Sequence, residues 1–181
     1  GIQKATGDIV GYLNSDDIYL AGIFEKVARV LEENSDIMWL AGYCKIIDTQ
    51  GSEIQKYISY YKNVLLRHYS YNKLYITNFI AQPATFWRRS VHKKIGYFDE
   101  KLLYALDYDF WLRIGKKYDP MVLQEQCAAF RIHSSSKGKV HFSEQFDQDL
   151  EICNKYAHSI ILISLHRLHN TIITYAYRII K

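Results

Sequence analysis

Two carboxylates stand side by side at Asp16 and Asp17, in the stretch GYLNSDDIYLAG, just after the apolar run Ile9 to Leu13. Adjacent negative charges repel, so a local structure or a cation must favour them. A turn or helix start would use one aspartate as a cap that accepts backbone N–H groups. A divalent cation would use one or two carboxylates and complete its shell with water and phosphate oxygens. The apolar run reads as a buried strand of a parallel sheet. In open α/β sheets, ligands sit beyond the carboxyl ends of such strands. The residues alone leave both readings of the pair open.

Bulk features exclude several classes. The chain has 181 residues, 49% hydrophobic and 23% charged, enough for one domain with a sizeable core. A net charge of +4 is too small to demand nucleic acid, and no nucleic-acid motif is present. It suits a phosphate-bearing ligand or an anionic surface. Sixteen tyrosines and three tryptophans fill cores or line sugar and nucleotide pockets. Cys44, Cys127 and Cys153 form no CxxC pair and have no histidine at finger spacing. Neither a disulfide framework nor a zinc site is expected, and a reducing compartment such as the cytoplasm fits.

The elements that must position the acids follow from periodicity. Ile23, Phe24, Val27, Val30 and Leu31 make one apolar helical stripe that Asn34-Ser35 ends. Ile37 to Ile47 reads as a strand, and DTQGS turns it into EIQKYIS as a hairpin partner. YYKNVLLRHYS reads as a short helix, Pro83 argues against a central strand at its position, and TFWRR reads as a strand. Ser90 is a candidate cap for the short helix VHKKIG. ALDYDFWLRIGKKYD reads as a helix with basic residues in its last turns, and MVLQEQCAAFRIH as a strand. A helix from about residue 142 closes the chain. Strands alternating with helices predict α/β layers. In the last stretch Ile161, Leu165, Leu168, Ile172, Tyr175 and Ile179 step by four and three, a heptad-like seam. That seam either docks on the parent domain, meets a partner, or lies on a membrane surface; Arg167 and two histidines exclude a transmembrane span.

Four segments in order, GDIVGYLNSDDIY, NFIAQPATFWRR, IGYFDEKLLYALDYDFWLR and FRIHSSSKG, together resemble family 2 glycosyltransferases of the GT-A fold. The resemblance covers roughly residues 1–140. It implies a mixed sheet flanked by helices that lacks the first strands of the fold, with residues 141–181 as a helical extension. The opening residues resemble the tail of a helix, so the chain is expected to begin inside a domain and to present an exposed sheet edge.

The resemblance also implies roles. NSDD is similar to the family's DxD metal motif, with Asp16 on Mg²⁺ or Mn²⁺ and Asp17 beside it on the donor; Asn14 stands where many members have the first Asp. His133 resembles a histidine that completes the metal shell in some relatives. Asp107 occupies the position of the base that deprotonates the acceptor hydroxyl, with Leu106 in place of a Glu and Asp109 as a substrate contact. On the residues alone, an N-cap of the helix is the alternative reading of Asp107. Gln82 and Pro83 resemble a pocket-lining loop, Trp87 either stacks on a sugar or joins the core, and Arg131 and Lys137 would clamp a diphosphate. SSSKG would be a lid over the donor. The implied partners are a nucleotide-sugar donor and a glycan or lipid-linked acceptor; peripheral membrane contact through the last helix is one of the readings of its seam given above. A fragment or binding module that keeps the fold without turning over donor is the alternative.

Overall fold

The structure is a computed structural model that describes residues 1–134, Ser136 and 142–179, with side chains as far as Tyr175. After a 3₁₀ turn at Ile2–Lys4 come β1 (Ile9–Gly11), β2 (Ile18–Tyr19), α1 (Ile23–Glu33), β3 (Trp39–Ile47), β4 (Glu53–Ile54), α2 (Lys56–Arg67) and α3 (Tyr71–Leu74). A 3₁₀ turn at Gln82–Ala84 leads into β5 (Thr85–Arg88), and another at Arg89–Val91 into α4 (His92–Ile95). The chain continues through α5 (Leu106–Gly115), β6 (Met121–Arg131), α6 (Phe142–Tyr156) and α7 (Ile160–Ile179).

The strands lie in the order β1-β5-β3-β6-β2, with β4 on the end of β3. Among the described strands only β3 and β6 run parallel; the other pairs are antiparallel. The expected mixed α/β sheet is therefore present, but β1 is not the buried parallel strand its apolar run suggests. It bonds antiparallel to β5, Val10 opposite Trp87, and only Val10 of its three residues is buried. The strand stops at Gly11 because Tyr12 to Asn14 leave the sheet to build the aspartate turn.

Period-two alternation sends β3 and β5 side chains to two cores. Trp39, Ala41 and Trp87 face α5, whose Tyr108, Phe110, Trp111 and Ile114 are fully buried with Leu74, Phe79 and Cys153. Trp39 stacks on Trp111 at 5.7 Å between centroids, and Trp87 meets Trp111 edge-on at 5.9 Å. Leu40 and Phe86 face the other way, against Ile23, Val27, Val30 and Leu31 of α1. Each such buried side chain is worth about 1.5–3 kcal/mol of transfer free energy. Gly42, where the β3–β6 register shifts, has no room for a side chain: a Cβ there would lie 2.0 Å from Cys127 Sγ.

Several local expectations change. The hairpin partner of β3 is only Glu53–Ile54, and the helix expected from Tyr60 already begins at Lys56. Tertiary packing of Ser59 and Leu66 overrides the apparent strand pattern of EIQKYIS. Ser90 makes no cap bond, because it sits within the 3₁₀ turn before α4. Arg88 donates to the carbonyls of Leu31 and Asn34 at the end of α1 and to Ile37. The heptad seam does not dock. Helix α7 packs by Leu162, Ile163 and His166, while Ile161, Leu165, Leu168, Ile172 and Tyr175 are exposed. The helix is apolar on two sides, and the shorter inner stripe won the core. Helix α6 joins the main core through Ile152 and Cys153.

Candidate functional site

The aspartate turn resolves into one carboxylate facing in and one facing out. Asp17 is buried; its Oδ1 accepts the Arg131 N–H at 2.8 Å and its Oδ2 accepts Asn14 Nδ2 at 3.1 Å. Burial, with the neighbouring Asp16 charge, raises the Asp17 carboxyl above its ordinary range, against the pull of the Arg131 N–H and Asn14. Neither aspartate caps α1: β2 intervenes, and Gly22 is the cap, at a φ of 77°. Asp16 points outward. Its Oδ2 lies 3.0 Å from His133 Nε2, with side-chain exposures of 36% and 30%. The sequence placed these two more than a hundred residues apart; antiparallel pairing of β2 with the end of β6 brings them together.

The same strand end supplies Arg131. Its Nε donates to the Asp16 carbonyl and its Nη1 to the Asp48 carbonyl, so it ties the turn to the end of β3. The Asp48 carbonyl also closes the tight turn with Gly51, while the Asp48 carboxylate accepts the Gln50 and Ser52 N–H groups. Gln82 locks the other flank: its Oε1 accepts Asn14 Nδ2 at 3.2 Å and its Nε2 donates to the Tyr12 carbonyl. Pro83 is buried beside it at the start of a 3₁₀ turn, where its missing N–H costs nothing.

Asp107 sits in the first turn of α5, a place where the helix dipole favours a carboxylate. It is not the N-cap; Ala105 is. Burial raises its carboxyl above the ordinary carboxylate range, opposed by the Tyr108 N–H, the Lys62 charge and a hydrogen bond with Asn78. Asn78 lies four residues before Gln82 on one loop, anchored by buried Phe79 and Ile80. Four residues span at most about 14 Å. That loop therefore reaches from the Asp107 carboxyl to the partner of the aspartate turn.

Three expected substrate contacts turn inward, the first being Asp17, buried with both oxygens engaged by Asn14 and the Arg131 N–H. Trp87 is fully buried among Phe98, Phe110 and Trp111, and its Nε1 donates to His92 Nε2. Asp109, two residues past Asp107, turns to another side of α5 and binds Arg113 at 2.8 Å, Tyr156 at 2.7 Å and Lys155 at 3.3 Å. Lys137 and most of SSSKG lie outside the described residues. Sequence reasoning missed Asn78, which hydrogen-bonds the Asp107 carboxyl, and Lys62, whose charge acts on it; no motif marks them, because two separate helices and a loop must converge to bring them there.

Among the described residues no cluster of three metal-binding side chains exists. The donor set that does converge is one carboxylate, Asp16, and one imidazole, His133. Such a pair fits a cation whose remaining positions are filled by water and phosphate, since Mg²⁺-type ions are commonly held by one or two carboxylates plus substrate. No described helix is long and apolar enough to cross a membrane.

Comparison with known proteins agrees with this architecture. An uncharacterized glycosyltransferase of Methanocaldococcus jannaschii is 30% identical over 133 residues, 72% of this chain and 44% of that protein. One from Bacillus subtilis is 26% identical over 121 residues, 65% of this chain and 42% of that protein. The chain thus spans less than half the length of these curated relatives. The crystal structure of S. aureus TarS superposes on 83% of the chain with a TM-score of 0.50 at 17% identity, a likeness of fold. The profile for Glycosyl transferase family 2 matches residues 1–96, more than half of the 181, and the chain belongs to that family of glycosyltransferases.

Proposed function

We propose that the chain carries the acceptor side and the metal side of an inverting transferase. It would move a sugar, hexose in type, from a nucleotide donor to a glycan or lipid-linked acceptor in polysaccharide biosynthesis at the cytoplasmic face of a membrane. The observation that carries this reading is the pair of acidic sites joined by the Asn78–Gln82 loop: Asp16 with His133 at one end, Asp107 at the other. Asp16 and His133 would hold the divalent cation, which when bound would neutralise charge on the leaving nucleoside diphosphate. Asp17, Asn14 and Gln82 hold the turn in place for that task.

At the other end, the acceptor hydroxyl attacks the anomeric carbon from the face opposite the diphosphate, which inverts the configuration. Asp107 takes the hydroxyl proton as the new C–O bond forms. A carboxylate held above its usual range by burial is a stronger base than one in water, so its environment favours this role. Gln82, beside buried Pro83, would line the space between the two ends, and Lys137, outside the described residues, is the candidate for a phosphate contact.

A lipid-linked acceptor is supported by the surface beside the site. Helix α2 exposes Tyr57, Tyr60, Tyr61 and Val64, and α7 exposes its apolar seam; Tyr61 and His169 join them at 3.1 Å. Neither helix contains an Asp or Glu. Aromatic rings with basic neighbours suit an anionic bilayer surface.

The test is hydrolysis and transfer from UDP-, GDP- and dTDP-sugars with and without Mn²⁺. It is run on the chain alone and on the chain joined to an upstream nucleotide-binding half-domain. Activity that EDTA removes and Asp107→Asn removes supports the reading; activity that survives both overturns it. The chain's short span relative to its relatives favours one other reading, a fold-retaining fragment that does not bind donor. In that case donor binding is absent from both versions.

A further inference from the structure

Strand β6 ends at Arg131, and its ladder closes with the Ile132 N–H donating to the Ile47 carbonyl at 2.9 Å. The next amide, that of His133, lies past the end of β3. Ser136 takes it: its Oγ accepts the His133 N–H at 2.8 Å. The Ser136 N–H returns to the His133 carbonyl at 3.1 Å, and the same Oγ lies 3.5 Å from the Arg131 carbonyl. A hydroxyl both accepts and donates, so one side chain serves two groups at the strand end. Ser136 is only 7% exposed, although it belongs to a serine run that reads as a flexible loop. A buried polar side chain is kept for its bonds, since an apolar one would fill the same space at less cost.

Those bonds bear on the neighbouring pair. The His133 ring and the Asp16 carboxylate approach to 3.0 Å, both partly exposed. A pair so open to solvent holds itself together weakly, so its orientation must come from the two backbones behind it. The Asp16 backbone is held by Arg131, whose Nε donates to the Asp16 carbonyl at 2.8 Å while its own N–H binds Asp17 Oδ1. The His133 backbone is held by Ser136. Both anchors meet at Arg131, because the Ser136 hydroxyl reaches that residue's carbonyl.

We propose that Ser136 is a positioning residue for the ion site: it fixes the His133 backbone so that the imidazole stands against Asp16 before any cation arrives. This rests on Asp16 and His133 as the protein ligands of the cation. Ser136 touches neither ion nor donor in this role. It removes ordering that capture of a cation would otherwise require, because a ring already in place loses less freedom on binding. Removing a partner that orients a metal ligand commonly weakens metal binding by about 10–100-fold.

The experiment is NMR of the full chain labelled on histidine and aspartate. In the metal-free, unmodified chain the His133 amide is expected to exchange slowly with solvent, and the His133 ring to show a nuclear Overhauser contact with the Asp16 β-protons. Ser136→Ala is expected to speed that exchange by about tenfold or more and to erase the ring contact. Ser136→Thr, which keeps the hydroxyl, is expected to retain both. Paramagnetic broadening of the His133 ring by Mn²⁺, read with UDP present, is expected to need about tenfold more Mn²⁺ in Ser136→Ala. In a His133→Ala background the same substitution is expected to leave Mn²⁺ affinity, read from broadening at Asp16, unchanged, because a residue that acts through His133 has nothing left to act on. Fast exchange of the His133 amide in the unmodified chain overturns the proposal, a measurement that needs no variant. So does a ring contact that survives Ser136→Ala, or a further loss of Mn²⁺ affinity in the His133→Ala background. If Ser136→Ala erases the ring contact but Mn²⁺ broadens neither His133 nor Asp16 in the unmodified chain, the hold on the ring stands and the ion assignment fails.

Discussion

Asp107 and Asp109 are two residues apart on one helix, and they should fail in opposite ways. Asp109 is 1% exposed and bonded to Arg113, Tyr156 and Lys155. Substituting Asn keeps an oxygen for Tyr156 but sets an amide against the Arg113 Nε–H. Removing one partner of a buried ion pair costs about 3–5 kcal/mol. Two features hold the value to the low end. Arg113 still donates to the Ile95 and Tyr97 carbonyls, and Lys155, 56% exposed, adds little. The expected loss is about 3 kcal/mol, a fall in melting temperature of about 6–12 °C for a chain of this size. The pH dependence follows from the same contacts. Burial alone would raise the Asp109 carboxyl, but Tyr156, Arg113 and Lys155 together hold it below the ordinary range. Its stabilisation is therefore present above the unfolded carboxylate pKa of about 4 and disappears as pH falls through the lower folded value. Thermal melts of Asp109→Asn and the unmodified chain should converge in strong acid. A gap at neutral pH under about 2 °C, or one that persists unchanged in acid, would refute the account of this network.

Asp107→Asn, by contrast, should leave the melting temperature unchanged or higher while transfer falls by about 10²–10⁴-fold, measured as kcat/KM. Asp16→Asn and His133→Ala should each weaken Mn²⁺ binding by about tenfold or more in isothermal titration with a nucleoside diphosphate present. Gly42→Ala should destabilise by about 1–3 kcal/mol in urea unfolding, because its Cβ would meet Cys127 Sγ, and Cys127→Ala in the same chain should recover much of that loss. Leu168→Glu, on the exposed seam of α7, should reduce flotation with anionic vesicles without changing the melt; equal flotation would retire the membrane surface.

The sequence disclosed the elements whose signal is local. The α1 stripe, the β3 run and the break at Gly96, which adopts a φ of 79°, all need only neighbours within a few residues. The aspartate turn was visible too, but its division of labour was not. Which carboxylate faces inward is decided by the Arg131 N–H, more than a hundred residues away. Trp87 illustrates the same limit: the residues left it open between a sugar platform and the core, and alternation along β5 turns it onto Trp111 and turns Arg88 under α1. Period two can be read in a sequence, but which of two faces is covered depends on helices that arrive later. Helix α7 hid its inner stripe because histidine and small gaps broke the pattern, although His166 is buried and within 2.9 Å of the Tyr75 carbonyl.

Arg131 has a consequence for the order of assembly. It is the last residue of β6, yet its backbone and side chain close on the aspartate turn and on the Asp48 turn at the far end of β3. A nascent or half-folded chain that has made only the early hairpins therefore cannot present Asp16 beside His133. The proposed ion site at Asp16 and His133 would then be completed only with closure of the final strand.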